Sequence, residues 1–536
     1  MTLVAYSERR PKMGTKLKEL IHNGVLIPEY DPVHLSIKYK GRILPLDPKG
    51  EQMAVAFVRK FDTEYIKDEV FVSNFLSDFG KHLGMKEKVE KKDFDWGEIV
   101  TYLENERKKK EAMSKEEKKK VLEKRKETKE LLRNKYGYAI VNGHKIPLQN
   151  WVVEPPCIFM SKGRNPQRGH WKKAVTRKDI TLNLSNRPSC LEKDWGNIVW
   201  KSDYMWIACW RNPIDGRIKH VWLSPNSKIR QQRERRKWDK AIALEKQKEK
   251  VSKYIEKKLT SKDEMEKKLA TAVYLIKEIG IRVGDERIAG ERGTLGCTTL
   301  KPENVIVNGN VVTLDFIGKD YVHWHKEAKF PTEVIENIKA FKEKAKGEFI
   351  FNGLDSNKIS KFMKKVVHGV SAKTFRTMIA RETFKNTEVD EQRRIQGNNA
   401  LESKVRFKYI NLTVAKKLNH KRKLPKNFEE NLAKRKEQIE TLKLKRQELM
   451  SELSSITDSH KNAKLTKRLQ QLDDRLKKVG YDYQLYKDTS EYNLQTSLTS
   501  YIDPRLVVEY SKSNNLKIEN IYTKTLRDKF SWAIHA

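Results

Sequence analysis

Two apolar ladders toward the C-terminal end constrain this chain more than any other feature. Leu432, Ile439, Leu442, Leu449, Leu453 and Ile456 recur at steps of seven, three or four. After the polar break Thr457-Asp-Ser-His-Lys-Asn462, Leu465, Leu469, Leu472, Leu476 and Val479 do the same. A repeat of this kind lays an apolar seam along a helix, which a second seam must cover. Two such arms around one short break predict an antiparallel coiled-coil hairpin over 428–479, each arm about 40 Å long at ~1.5 Å per residue. Dimerisation between chains is the weaker reading, because both arms flank the same break.

At 536 residues the chain is too long for one ordinary core, so two or more domains are expected. Lys and Arg outnumber Asp and Glu by 112 to 72, a net charge of +40. Self-repulsion on that scale calls for a polyanion, with nucleic acid the first candidate and an anionic membrane surface the second. No apolar run is long enough to span a bilayer and no signal-peptide pattern opens the chain, so a soluble intracellular protein is expected. Cys157, Cys190, Cys209 and Cys297 lie far apart with no Cys-x-x-Cys, which favours buried reduced thiols over zinc or disulfides.

Residues 1–100 read as mixed α/β, with alternation around Gly41 in 35–44 and a helix over 51–61. A highly charged helical stretch follows over 96–135, and Ser114-Lys-Glu-Glu117 inside it is a capping box where two helices meet. Lys108–Lys110 and Lys118–Lys120 could contact phosphates, but most of them read as a solvated face laced with i,i+4 pairs. Residues 136–227 are strand-like and rich in tryptophan, read as core and not as stacking platforms. Gly163-Arg-Asn-Pro-Gln-Arg-Gly169 is a basic turn suited to phosphate, and Asn212-Pro-Ile-Asp-Gly216 a hairpin turn. A helical run over 228–258 leads to a second capping box, Ser261-Lys-Asp-Glu264. The stripe Met265, Leu269, Ala272, Val273 and Ile276 then marks a helix ending at Gly280. Asn308-Gly309 between alternating apolar runs is a hairpin signal. Helices are predicted over 333–344, 357–366 and 371–382. His323-Trp-His325 reads as a hairpin face, not a metal site.

Tyr501 stands two residues before Asp503-Pro504, where proline fixes the backbone and shapes the turn. Taken alone, a tyrosine there is structural. Cleaving a phosphodiester without metal requires an in-line nucleophile, cations for the non-bridging oxygens, a proton for the leaving alkoxide and fixed geometry. Arginine meets the second need with its planar fork, lysine and histidine the proton-donating ones.

Five segments supply such groups: Ile281-Arg-Val-Gly-Asp-Glu286, Phe316-Ile-Gly-Lys-Asp320, Lys373-Thr-Phe-Arg-Thr377, Leu418-Asn-His-Lys-Arg422 and Ser500-Tyr-Ile-Asp-Pro-Arg505. Together, in this order and with the coiled coil before the last, they resemble the motifs of the eukaryotic type IB DNA topoisomerases. The likeness extends to Met113-Ser-Lys-Glu-Glu-Lys118, Val153-Glu-Pro-Pro156, Leu223-Ser-Pro-Asn226 and Lys529-Phe-Ser-Trp-Ala-Ile534.

The resemblance implies an α+β multidomain protein forming a DNA-encircling clamp. It has a mixed α/β N-terminal cap (1–227), a mainly helical catalytic core with a small β-hairpin sheet (228–425), a coiled-coil linker (426–489) and a small helical C-terminal domain (490–536). It implies Tyr501 as nucleophile, Arg282, Arg376 and His420 on the phosphate oxygens, and Lys319 as general acid. DNA contacts are implied at Lys219, His220, Asp320, Lys373 and Ser500. The implied activity is relaxation of supercoiled double-stranded DNA through a 3′-phosphotyrosine. It is carried out by a monomer without ATP or obligatory metal, in the nucleus or at a site of viral DNA replication. Asparagine is common beside the family's tyrosine where Ser500 stands here, which implies weak sensitivity to camptothecin-type inhibitors. The rival readings are a tyrosine recombinase and a non-catalytic DNA-packaging protein.

Overall fold

The computed structural model describes residues 16–161, 165–284, 294–345, 348–397, 399–455 and 459–536. Two compact units result, one within 16–230 and the other within 231–284 and 294–536.

The first unit mixes helix and sheet. It opens with β1 (Leu20–His22), β2 (Ser36–Tyr39) and β3 (Arg42–Pro45). Lys40 and Gly41 join β2 to β3 at φ of +46° and +83°, the left-handed pair a two-residue hairpin needs. Asp47 caps α1 (Pro48–Val58) and Asp68 caps α2 (Glu69–His82). Both pack Phe57, Phe71, Phe75 and Phe79 into one aromatic core with Trp96. After β4 (Phe94–Asp95), α3 (Gly97–Ala112) and α4 (Lys115–Tyr136) meet at the predicted capping box. There Glu117 N donates to Ser114 Oγ at 3.1 Å and Ser114 N to Glu117 Oε2 at 2.8 Å. Lys108–Lys110 and Lys118–Lys120 are exposed, and Arg107 pairs with Glu111 at 2.8 Å.

β5 (Tyr138–Val141) and β6 (His144–Pro147) extend the sheet begun by β1. β7 (Cys157–Ile158) pairs with β8 (Trp171–Lys172). β9 (Thr181–Asn183), β10 (Asn197–Val199), β11 (Trp206–Arg211) and β12 (Ile218–Trp222) form a sheet in the order β10-β9-β11-β12. Asn212–Gly216 turns β11 into β12. Trp171, Trp206 and Trp210 are buried and Trp151, Trp195 and Trp222 pack on the core, with Trp200 exposed. Gly163 and Arg164 of the basic turn lie outside the described residues, and Arg168 is held by Asp68 at 2.6 Å. The thiols divide: Cys209 and Cys297 are buried, but Cys157 and Cys190 are exposed, against expectation.

In the second unit, the run over 228–258 is two helices, α5 (Lys228–Lys246) and α6 (Lys248–Leu259), broken at Gln247. Asp263, not Ser261, caps α7 (Glu264–Ile279): its carboxylate accepts from Met265 N at 2.8 Å. The Ser261 hydroxyl instead donates to Glu266 at 3.1 Å. Leu269, Ala272, Val273 and Ile276 of the predicted stripe are buried but Met265 is exposed, and Gly280 ends the helix at φ +68°. β13 (Val305–Asn308), β14 (Val311–Gly318) and β15 (Val322–Lys329) form an antiparallel sheet, with Gly309 at φ +58° in the first turn. Then come α8 (Thr332–Lys344), α9 (Ser356–Lys364), α10 (Ala372–Arg394) and α11 (Ala400–Lys417).

The heptad segments form α12 (Phe428–Ser455) and α13 (Ser459–Thr489), which lie against each other with Arg446 Nε 2.5 Å from Asp473 Oδ1. Every described apolar residue of the two ladders is buried or half-buried. α13 continues past the predicted end at Val479, and Tyr481 and Leu485 join Val405, Tyr409 and Leu412 of α11 in a small core. α14 (Leu494–Ser500) and α15 (Pro504–Ser513) share one core with α10 and α11, through Leu498, Ile502 and Val507 against Ile379, Phe384, Ile410 and Val414.

Candidate active site

Four of the five candidate catalytic residues leave their elements close together. Tyr501 follows the last residue of α14 and is buried to 5% exposure. Asp503 fixes the turn beyond it: its carboxylate accepts from Arg505 N at 3.0 Å, capping α15. That carboxylate is itself fully buried and ion-paired to Arg381 and Arg505. The carbonyls before the tyrosine are held as well, Lys237 donating to Ser500 O at 2.7 Å and Lys529 to Thr499 O at 3.0 Å.

Arg376, on the first turns of α10, places its guanidinium carbon 5.1 Å from the centroid of the Tyr501 ring. One of its terminal nitrogens donates to Gly280 O, the other to Leu418 O at 3.1 Å. Its buried Nε has no partner among the described residues. His420 stands three residues beyond the end of α11, its ring centroid 4.8 Å from that of Tyr501. Both His420 ring nitrogens are buried without a partner among the described residues. A buried donor left unmade costs free energy, so unpaired groups converging beside a phenol mark a place for an acceptor-rich ligand.

Arg282 stands two residues beyond Gly280 and is half-buried. Gly284 at φ +102° lets this segment run against Gly296, where a Cβ would come within 2.7 Å of Gly296 Cα. The remaining residues of that motif, Asp285 and Glu286, lie outside the described residues.

The charges set the protonation states. Burial works to raise the Tyr501 phenol, but the positive charges of Arg376 and Arg282 outweigh it and bring the group down to about 8. Burial takes His420 down to about 3, helped by the same two arginines, so its imidazole is neutral. Burial also lowers Arg376, to about 10, with Arg282 adding to the effect. An acidified phenol between two cations, beside a neutral imidazole, can attack a phosphorus centre and neutralise its oxygens.

Lys319 is at the exposed turn between β14 and β15, with no hydrogen bond or ion pair to the other four among the described residues. Of the expected DNA contacts, Lys373 is exposed and adds to the positive charge at Tyr501. Ser500 is half-buried, and the Asp320 side chain lies outside the described ones. Lys219 is engaged by Glu154 at 3.1 Å and His220 stacks on Trp222. His323 and His325 both bond Asp315, at 2.7 and 2.9 Å, and no group of three or more metal-type ligands occurs among the described residues. No described helix is long and apolar enough to cross a membrane.

Sequence reasoning missed one half-buried cation here, Lys326 on β15. The signal was an unpaired lysine in the apolar alternation Trp324, Lys326, Ala328.

The family model described as eukaryotic DNA topoisomerase I, catalytic core, matches residues 226–453. Its DNA binding fragment matches 15–223, and the C-terminal topoisomerase domain 473–536. The chain is 30% identical to DNA topoisomerase 1 of Drosophila melanogaster over 99% of its length, spanning 55% of that protein. It is 29% identical to DNA topoisomerase 1 of Homo sapiens, with 99% of this chain and 72% of that protein covered. With DNA topoisomerase 1 alpha of Arabidopsis thaliana it shares 31% identity, over 98% and 60% of the two.

Proposed function

The chain belongs to the eukaryotic DNA topoisomerase I family, and from that premise we propose that it relaxes supercoiled double-stranded DNA through a 3′-phosphotyrosine on Tyr501. The observation that carries this reading is the Tyr501 phenol, brought down to about 8 by Arg376 and Arg282 beside the unpaired imidazole of His420.

The phenolate oxygen attacks the phosphorus in line and the bond to the 5′ oxygen breaks. Arg282, the free Nε of Arg376 and an N–H of His420 take up the charge of the non-bridging oxygens. Lys319, carried on its exposed turn, gives a proton to the departing 5′ oxygen. The phosphotyrosine keeps the phosphodiester's bond energy, so the free 5′ hydroxyl religates it without ATP or an obligatory metal. Rotation of the downstream duplex between the two steps removes supercoils of either sign. A monomer works as a clamp around the duplex, with α12 and α13 as a coiled-coil linker, and the net charge of +40 supports phosphate gripping with steep salt dependence.

The test is supercoiled plasmid with EDTA and no ATP, beside Tyr501→Phe. Relaxation by the wild type alone supports the reading; relaxation by the variant places the nucleophile elsewhere. Binding without relaxation favours a packaging protein, and joining of paired sites a recombinase.

A further inference from the structure

β14 and β15 present an apolar inner face to the core, where Val312 pairs with Ala328 and Phe316 with Trp324. Between these pairs, opposite the buried Leu314, stands a lysine, Lys326. A charged group on such a face is costly unless its donors are used. Lys326 Nζ donates to Ile279 O at 3.1 Å and, at a longer 3.4 Å, to Lys417 O. These are the last residues of α7 and α11.

Arg376 repeats the pattern one residue further along each chain, donating to Gly280 O and Leu418 O. Two residues beyond those carbonyls lie Arg282 and His420. β15 makes another tie to the same loop, Asn419 Nδ2 donating to His323 O at 3.3 Å. Two helix C-termini, each the negative end of a macrodipole whose last carbonyls lack an intrahelical partner, thus lie just before the two residues proposed to hold the phosphate. Unneutralised, they would repel it.

We infer that Lys326 is a positioning residue: with Arg376 it clips the ends of α7 and α11 together and so fixes the spacing of Arg282 and His420 around the phosphate. This rests on the cleavage chemistry proposed above. Burial brings Lys326 down to about 8, with Lys417 and Arg376 as like charges nearby, so near neutral pH it is a protonated donor. The hydrogen bonds of Lys326 go to protein carbonyls, which separates its role from that of phosphate-gripping lysines.

The experiment compares wild type, Lys326→Met, Lys326→Gln and Lys326→Arg on a nicked duplex that traps the covalent complex. Single-turnover cleavage at saturating DNA, DNA affinity at several salt concentrations, and thermal melting are measured on each. Lys326→Met is expected to slow cleavage on the order of 10- to 100-fold, the scale of a ~1 Å misplacement at a reacting centre. Affinity and its salt slope stay as in the wild type, Lys326→Gln falls between, and Lys326→Arg restores most of the rate because a guanidinium can reach both carbonyls. Cleavage by Lys326→Met at the wild-type rate overturns the assignment. So does a salt slope reduced by about one, the sign of a phosphate contact. Unfolding of both the Met and Gln variants at the assay temperature makes the residue structural and overturns it as well. If the wild type forms no covalent complex, the cleavage chemistry fails and not this positioning role alone.

Discussion

The guanidinium carbon of Arg376 sits 5.1 Å from the centre of the Tyr501 ring, and both side chains are buried. The pairing joins the proposed nucleophile and its proposed activator through one core, since α10 and the segment bearing Tyr501 pack together through Ile379, Phe384, Ile502 and Val507. Burial alone would make the phenol a weaker acid, but Arg376 and Arg282 reverse the sign.

The cleavage rate therefore rises with pH through about 8 and levels off as the phenolate fills. Arg376→Gln is slower at every pH and its rise is displaced toward the ordinary value near ~10. Single-turnover cleavage from pH 6 to 10 checks both, on the order of a hundredfold across the range if one ionisation governs. Stability follows the same sign: the folded phenol is the stronger acid, so its contribution is full above about 10 and lost as pH falls through about 8.

In the proposed reaction His420 is a neutral donor. Its imidazole is held down at about 3 by burial and by Arg376 and Arg282, so no step in cleavage appears near the free value of ~6.5. His420→Gln, which keeps an N–H, loses less activity than His420→Ala. A proton NMR titration of His420 with a midpoint near 6.5 would contradict this.

Asp503 anchors the turn after Tyr501 by pairing with Arg381 and Arg505 at full burial. Asp503→Asn keeps a capping side chain but leaves the buried Arg381 short of charge, and is expected to cost about 3 kcal/mol in urea unfolding. Asp503→Ala also loses the cap, worth about 1 kcal/mol more. Cleavage falls in both.

Ser500 is tied by its backbone, its carbonyl accepting from Lys237 at 2.7 Å, so its side chain can change without releasing the turn. Ser500→Asn is expected to relax DNA like the wild type and to gain nicking in the presence of camptothecin. Equal nicking by the two proteins removes Ser500 as the determinant.

Much of the fold was legible where one residue decides local geometry. Ser114 and Glu117 cap α4, Gly280 ends α7, and Asn308-Gly309 turns a hairpin, each by side-chain or φ demands that act within four residues. The break at Gln247 was not legible, because neither glycine nor proline marks it and it follows from burying Leu244 and Val251 in one core. Ser261 lost its capping role because Asp263 offers an equally good cap two residues on. α10 runs to Arg394 and not to 382, since Arg381 and Glu391 are buried by tertiary partners that local patterning does not see.

The candidate site was legible as a set of motifs and not as a geometry. Nothing in the spacing of Arg282, Arg376, His420 and Tyr501 brings them together; packing of α10 and α11 with the C-terminal residues does. Lys326 shows its place only through the strand register, which sets it opposite the buried Leu314.

The most direct measurement is the chemical identity of the covalent link. Wild-type protein trapped on a nicked duplex is digested, and the peptide bearing a nucleotide is sequenced by mass spectrometry. A 3′-phosphate joined to the Tyr501 oxygen is expected, and no adduct with Tyr501→Phe. An adduct on another residue, a link to a 5′-phosphate, or an adduct that survives Tyr501→Phe would contradict it.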